Sequence, residues 1–158
     1  MRVELNPNYL NREAIEDTIE AIKEAPDYKF LMGYWYGEPV TQQYIEEHQL
    51  QDIPEYRKYI SIEQDNFDPH QCKTVACLGG WAAFANKVPL KFAGNIFGLT
   101  STQAELLFGG GKFGTLGIDA LPEDQRKAVG IRVLELMLSD EIIDWDRAYN
   151  EVVNGAKP

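Results

Sequence analysis

The sequence is short of positive charge, of cysteine and of long apolar runs, and each shortage removes a class of function. Lys and Arg total 15 against 25 Asp and Glu, a net charge of −10. Such a surface repels phosphates, so direct nucleic-acid binding is not expected. The carboxylates are spread along helices, too sparsely for a dedicated nucleic-acid mimic. The longest apolar run, Val75–Ala85, is interrupted only by Gly79 and Gly80 and is far short of the roughly 20 residues that a bilayer span needs. No membrane partner is expected. The opening Met1-Arg2-Val3-Glu4-Leu5-Asn6 lacks a basic-then-apolar leader pattern, which makes a cytoplasmic location the expectation. Two cysteines, Cys72 and Cys77, are few for a disulfide scaffold, and a cytosolic chain of 158 residues does not need one. No repeat, low-complexity tract or linker divides the chain, so a single domain over residues 1–158 is expected.

What is present points to helices. Hydrophobic residues make up 44% of the chain and the mean hydropathy is −0.35, a composition that supports a real core. Arg12–Glu24 carries Ile15, Ile19 and Ile22 on one face and Glu13, Glu16, Asp17 and Glu20 on the other, with Asn11 as cap and Pro26 as stop. Thr41 caps a short helix over Gln42–His48, and Pro54 opens another over Glu55–Tyr59. Phe92–Phe97 leads into Gly98-Leu99, after which Thr100 and Gln103 form a capping box for a helix through Phe108. Gly109-Gly110-Gly111 is expected to stop that helix. Pro122 starts a helix to about Ser139 with a stripe of Ala128, Ile131, Leu134 and Leu138, and Asp144 caps a last one over Trp145–Val153.

The run Val75–Ala85 is apolar all round, and a helix with no wet face must be buried all round. Thr74 is its expected cap. Two glycines inside a helix cost roughly 1 kcal/mol each against alanine. That cost makes sense where a neighbour comes close, so Ala76, Gly79, Gly80 and Ala83 read as a strip for helix approach, with Trp81 in the core. The expected fold is therefore mainly α: a compact single-domain bundle of five to seven helices around a buried central helix, 75–85. A small β-ribbon from residues 28–37 and 59–63 completes it.

Several stretches invite chemistry. Gly109-Gly110-Gly111-Lys112 suggests a phosphate loop, but Leu106 stands where the first glycine belongs and Phe113 follows the lysine. Asp65–Pro69 is turn chemistry whose spacing misses a calcium loop. Gly94–Leu107 has the outline of a helix-turn-helix, yet offers only Gln103 to base edges and an adverse Glu105.

The densest cluster is His70, Cys72 and Cys77, three metal donors within eight residues. Structural zinc prefers four ligands and closer cysteines, and the only other histidine is His48. A thiol near a helix start is activated and His70 is close by, but no histidine follows Cys77 as a papain-like base would. A disulfide is a third reading, and plain packing of Cys77 in the buried helix is a fourth. The aromatic stretch Tyr34-Trp35-Tyr36 either caps the core or forms a ligand or partner surface.

Cys72-Lys73-Thr74-Val75-Ala76-Cys77-Leu78-Gly79-Gly80-Trp81-Ala82 resembles a C-G-T-x-x-C-x-A-G-W-A signature of small phage and bacterial proteins. In them an L-G-L-T-x-x-Q-A-x-x-L-F element follows, matched here over Phe97–Phe108. Lys73 and Gly79 depart from the usual Gly and Ala. The resemblance covers about two thirds of the chain and implies a phage origin but no activity. With no acid/base pair, nucleotide loop or basic groove, the leading expectation is a non-enzymatic interaction protein with no cofactor. It would be a phage accessory or host-takeover factor that binds a host protein in the host cytoplasm. The alternatives are a zinc or thiol site at His70, Cys72 and Cys77, and a small-ligand module built on Tyr34, Trp35 and Tyr36.

Overall fold

The computed structural model describes residues 2–69, 74–113 and 117–155. Among them are seven α-helices and five short β-strands, joined by single 3-10 turns. In chain order these are β1 (Arg2–Glu4), α1 (Arg12–Glu24), β2 (Tyr36–Pro39), α2 (Gln42–Glu47), β3 (Tyr59–Ser61), β4 (Val75–Ala76), α3 (Leu78–Ala85), α4 (Ala93–Phe97), α5 (Ser101–Phe113), α6 (Glu123–Ser139), β5 (Ile142–Asp144) and α7 (Trp145–Val153). The class is mainly α with a minor β component.

α1 follows its sequence pattern. The Asn11 side chain accepts from the Ala14 N–H at 3.1 Å, and Ala14, Ile15, Thr18, Ile19 and Ile22 are buried. Thr18 sits on the apolar face because its hydroxyl donates back to the Ala14 carbonyl at 2.8 Å, which satisfies a polar group that burial would otherwise penalise. Asn86, just past α3, donates to the Ala82 carbonyl at 2.8 Å and to Thr18 Oγ1 at 3.2 Å, so it ties α3 to α1.

The central apolar run divides. Val75 and Ala76 form a strand against β2, with Tyr36 opposite Ala76, and the helix begins only at Leu78 with Cys77 as its N-cap. Thr74 is therefore not the helix cap. Its hydroxyl donates to the Asp68 carbonyl at 2.9 Å and accepts from the Asp68 N–H at 3.2 Å. An all-apolar run has no period that marks where strand becomes helix, and pairing with β2 decides the boundary. The ribbon is a three-stranded antiparallel sheet in the order β3-β2-β4. Its β2 lies at residues 36–39, later than the expected 28–37. A second sheet pairs β1 with β5.

α6 runs through the other side of the core, in contact with α1, α7 and β5. Val129, Gly130, Val133, Leu134, Leu136 and Met137 are buried, while Ala128, Ile131 and Leu138 of the expected stripe are only half-buried. The helix is covered on more than one side, so its buried face is wider than a single stripe and rotated from it. At Gly130 the Phe30 ring takes the place a side chain would fill. α5 also departs from expectation: it continues through Gly109–Gly111 to Phe113. Leu107 and Phe108 are buried, and the Trp145 indole N–H donates to the Leu107 carbonyl at 2.9 Å. The packing of Leu107 and Phe108 anchors the helix just ahead of its glycines.

Candidate functional site

Tyr34, Trp35 and Tyr36 are neighbours in sequence but occupy three environments. The segment before β2 is fixed by backbone bonds: Leu31 N–H to the Ala76 carbonyl at 3.1 Å, and Cys77 N–H to the Tyr34 carbonyl at 2.8 Å. The Met32 N–H donates to Asp119 Oδ1 at 2.7 Å. Tyr36 turns inward, buried against Phe67, and its hydroxyl donates to the Gly80 carbonyl at 2.7 Å. Burial pushes its phenol well above the ordinary tyrosine range. Tyr34 is half-buried against Tyr59, and its hydroxyl donates to the Arg57 carbonyl at 3.4 Å. Trp35 turns outward and is 44% exposed.

The α3 glycines make room for Trp35. A Cβ at Gly79 would overlap the outer edge of its indole, and a Cβ at Gly80 would overlap its backbone carbonyl. The predicted strip of small residues therefore receives the Trp35 segment of the chain, where helix approach was expected. Phe108 meets the indole edge to face, with ring centroids 6.1 Å apart at 71°. A glycine pair, a backbone bond and an aromatic edge thus hold a large apolar ring half in water.

Trp35 lines a mostly apolar cleft of about 870 Å³. One wall is the turn Leu90–Phe92 with α4, and the other is the face of α5 that carries Ser101, Ala104, Glu105 and Phe108. The walls meet where Gly94 and Ala104 touch; a Cβ on Gly94 would lie 2.6 Å from that of Ala104. Thr100 and Gln103 close a reciprocal cap at the start of α5, at 3.0 and 3.2 Å, as the sequence predicts. The angle between walls is set at Gly98, whose φ is +81°, a conformation that favours glycine, and where a Cβ would overlap the Tyr9 carbonyl. Lys91 on one wall and Glu105 on the other are exposed, and neither has an ion-pair partner among the described residues. They are the only titratable side chains in the cleft lining among the described residues. That arrangement suits binding: an apolar floor, a rigid aromatic and two charges at the rim.

Of the cysteine cluster, His70 and Cys72 lie outside the described residues. Cys77 is buried at the start of α3, makes no side-chain cap there, and does not line the cleft. Among the described residues no group of three His, Cys, Asp or Glu is placed to hold a metal ion. Trp81 is buried, its indole N–H donating to the Lys29 carbonyl at 3.3 Å. Lys29, which sequence reasoning passed over, is itself buried, and its ammonium donates to the Asp68 carbonyl at 2.8 Å. Gly109 lies within α5, so the glycine–lysine stretch begins on a helix where a phosphate loop would follow a strand. Among the described residues no helix is long and apolar enough to cross a membrane.

The cleft itself was not foreseen. Its one sequence signal is the pair Gly79-Gly80 inside an apolar helix beside an upstream Trp, which reads as a seat once the fold is known. No family model matches the chain, and no curated protein or solved structure matches it.

Proposed function

We propose that the protein is a non-enzymatic interaction protein that grips its partner in the Trp35 cleft. The observation that carries this reading is the half-exposed indole of Trp35, seated on Gly79 and Gly80 at the mouth of an apolar cleft. Partly exposed tryptophans held rigid in concave surfaces are the residues that dominate protein–protein binding energy. In this reading α3 is the buried hub of the bundle, and its function is to present Trp35. The lining lacks the acid/base or nucleophile pairing that a reaction centre requires. The likeness of Cys72–Ala82 and Phe97–Phe108 to phage and bacterial proteins supports a host protein as the partner, met in the host cytoplasm. The net charge of −10 disfavours nucleic acid in that role.

The test is quantitative capture from bacterial lysate with the wild type, Trp35→Ala and Ser101→Trp. The last variant fills the far end of the cleft from an exposed position and leaves the core untouched. A stoichiometric partner kept by the wild type and lost by both variants is the expected result. No stoichiometric partner, or one held equally by all three proteins, would overturn the reading.

A further inference from the structure

We infer that the cleft accepts an amphipathic helix of about two turns from the partner, with an acidic residue on one flank and a basic residue on the other. The inference rests on the Trp35 cleft being the contact site, and it follows from the shape, backbone and charges of the walls.

The lining along α5 spans Ser101 to Gly109, a rise of roughly 12 Å. An apolar stripe at i, i+4 and i+7 covers a similar length, so two helical turns fill the cleft end to end. The floor is narrow in side chains: Ala93, Gly94, Ala104 and Gly109. Small residues there let another helix come close, while Trp35 and Phe108 at one end meet its largest apolar side chain.

The backbone argues against an extended occupant. Both walls are built from helical segments, the Leu90–Phe92 turn with α4 on one side and α5 on the other. An extended peptide binds through an open sheet edge that takes its backbone bonds, and the cleft lining has none. Laid on this apolar floor, an extended peptide leaves its own backbone groups unpaired, whereas a helix satisfies them internally.

The charges orient the occupant. Lys91 and Glu105 line the cleft from opposite walls, and neither is spent on an ion pair among the described residues. A helix with Asp or Glu toward Lys91 and Lys or Arg toward Glu105 pairs with both in one direction and is repelled by both in the reverse.

A displayed library of random peptides about 16 residues long, selected on the wild type and counter-selected on Ser101→Trp, tests this. The expected binders carry apolar residues at helical spacing, gain helicity when bound, shift Trp35 emission, and lose roughly tenfold or more in affinity for Ser101→Trp. Exchanging the wall charges (Lys91→Glu with Glu105→Lys) is expected to reverse the preferred flank charges, with changes of about two- to fivefold. Cleft-dependent binders that alternate with period two, or that are proline-rich, would overturn the helical occupant and leave the cleft as contact site. Self-association abolished by Ser101→Trp would put a second copy in the cleft and overturn it likewise. Binders indifferent to Ser101→Trp, or no binders, would count against the cleft reading itself and with it the inference.

Discussion

The α6–α7 side of the molecule and the α3–Trp35 side are stabilised in opposite ways. On the first, side chains fill space and pair charges. Leu134 and Met137 are fully buried in α6, and Glu151 of α7 receives Arg132 from α6 and Arg147 from its own helix, with Arg147 reaching on to Asp140 at 2.7 Å. On the second, side chains are withheld. Gly79, Gly80 and Gly94 are useful for the volume they leave, which Trp35 and Ala104 occupy. The first arrangement tolerates small trimming at the surface and suffers from holes inside. The second suffers from added atoms and leaves an open apolar cleft in return.

The contrast is broken most severely at its two extremes. Leu134→Ala leaves a cavity in the α6 core and is expected to cost about 2–5 kcal/mol in denaturant unfolding. A loss under about 1 kcal/mol would mean that the core there is less closely packed than the buried leucine implies. Gly80→Ala forces a Cβ against the Trp35 backbone, which cannot rotate away, so a loss of about 1–3 kcal/mol is expected from a single added methyl. Unchanged stability in Gly80→Ala would dissolve the idea of a glycine seat.

Gly79→Ala sharpens the comparison because it separates stability from function. Its Cβ would overlap the outer edge of the indole and press on the Phe108 ring, side chains that yield more readily than the backbone met at Gly80. The expected outcome is a small change in melting temperature with a shifted Trp35 emission and weakened partner capture. A variant that keeps both emission and capture would show that the ring position is immaterial.

The smallest expected effect lies on the α6–α7 side and depends on pH. Hydrogen bonds from Arg132 and then Arg147 hold the Glu151 carboxyl below the usual carboxylate range. A group with a lowered folded pKa contributes stability that is complete above its unfolded value and fades as pH falls through the folded one. Glu151→Gln is therefore expected to destabilise by roughly 1 kcal/mol at neutral pH, with the gap to wild type closing below about pH 4. Parallel melting curves from pH 7 to pH 3 measure it, and a gap that widens on acidification would contradict the assignment.

Legibility followed the same division. Helices with one wet face and a side-chain cap were plain in the sequence: α1 with Asn11, α5 with Thr100 and Gln103, and α7 with Asp144, whose carboxylate accepts from the Arg147 N–H at 2.9 Å. Where an element is covered on several sides, periodicity lost its meaning. The α6 stripe came out rotated, and Val75–Ala76 read as the first turn of a helix though it is a strand. Strands of three residues, β1 and β5, carry too few positions to form a pattern. Glycine misled once and informed once. Gly109–Gly111 looked like a helix stop and is helical. Gly79-Gly80 signalled a close neighbour correctly without saying which. Of Tyr34, Trp35 and Tyr36, only the middle residue reaches the cleft, because alternation along an extended chain sends successive side chains to opposite faces.

The turn at Gly98 ties this cleft to a part of the chain that never touches it. Tyr9 presses its carbonyl against that glycine, and the Asn11 N–H holds the Phe97 carbonyl at 3.1 Å. The strand before them is stitched to the far edge of the fold, with Val3 opposite Ile143 and the Leu5 N–H on the Glu141 carbonyl at 2.9 Å. Residues 2–11 thus act as a brace behind a hinge. Clipping them, or pulling on them with a fused partner, would let the jaw formed by α4 and α5 change its gape while every residue inside the jaw stayed the same.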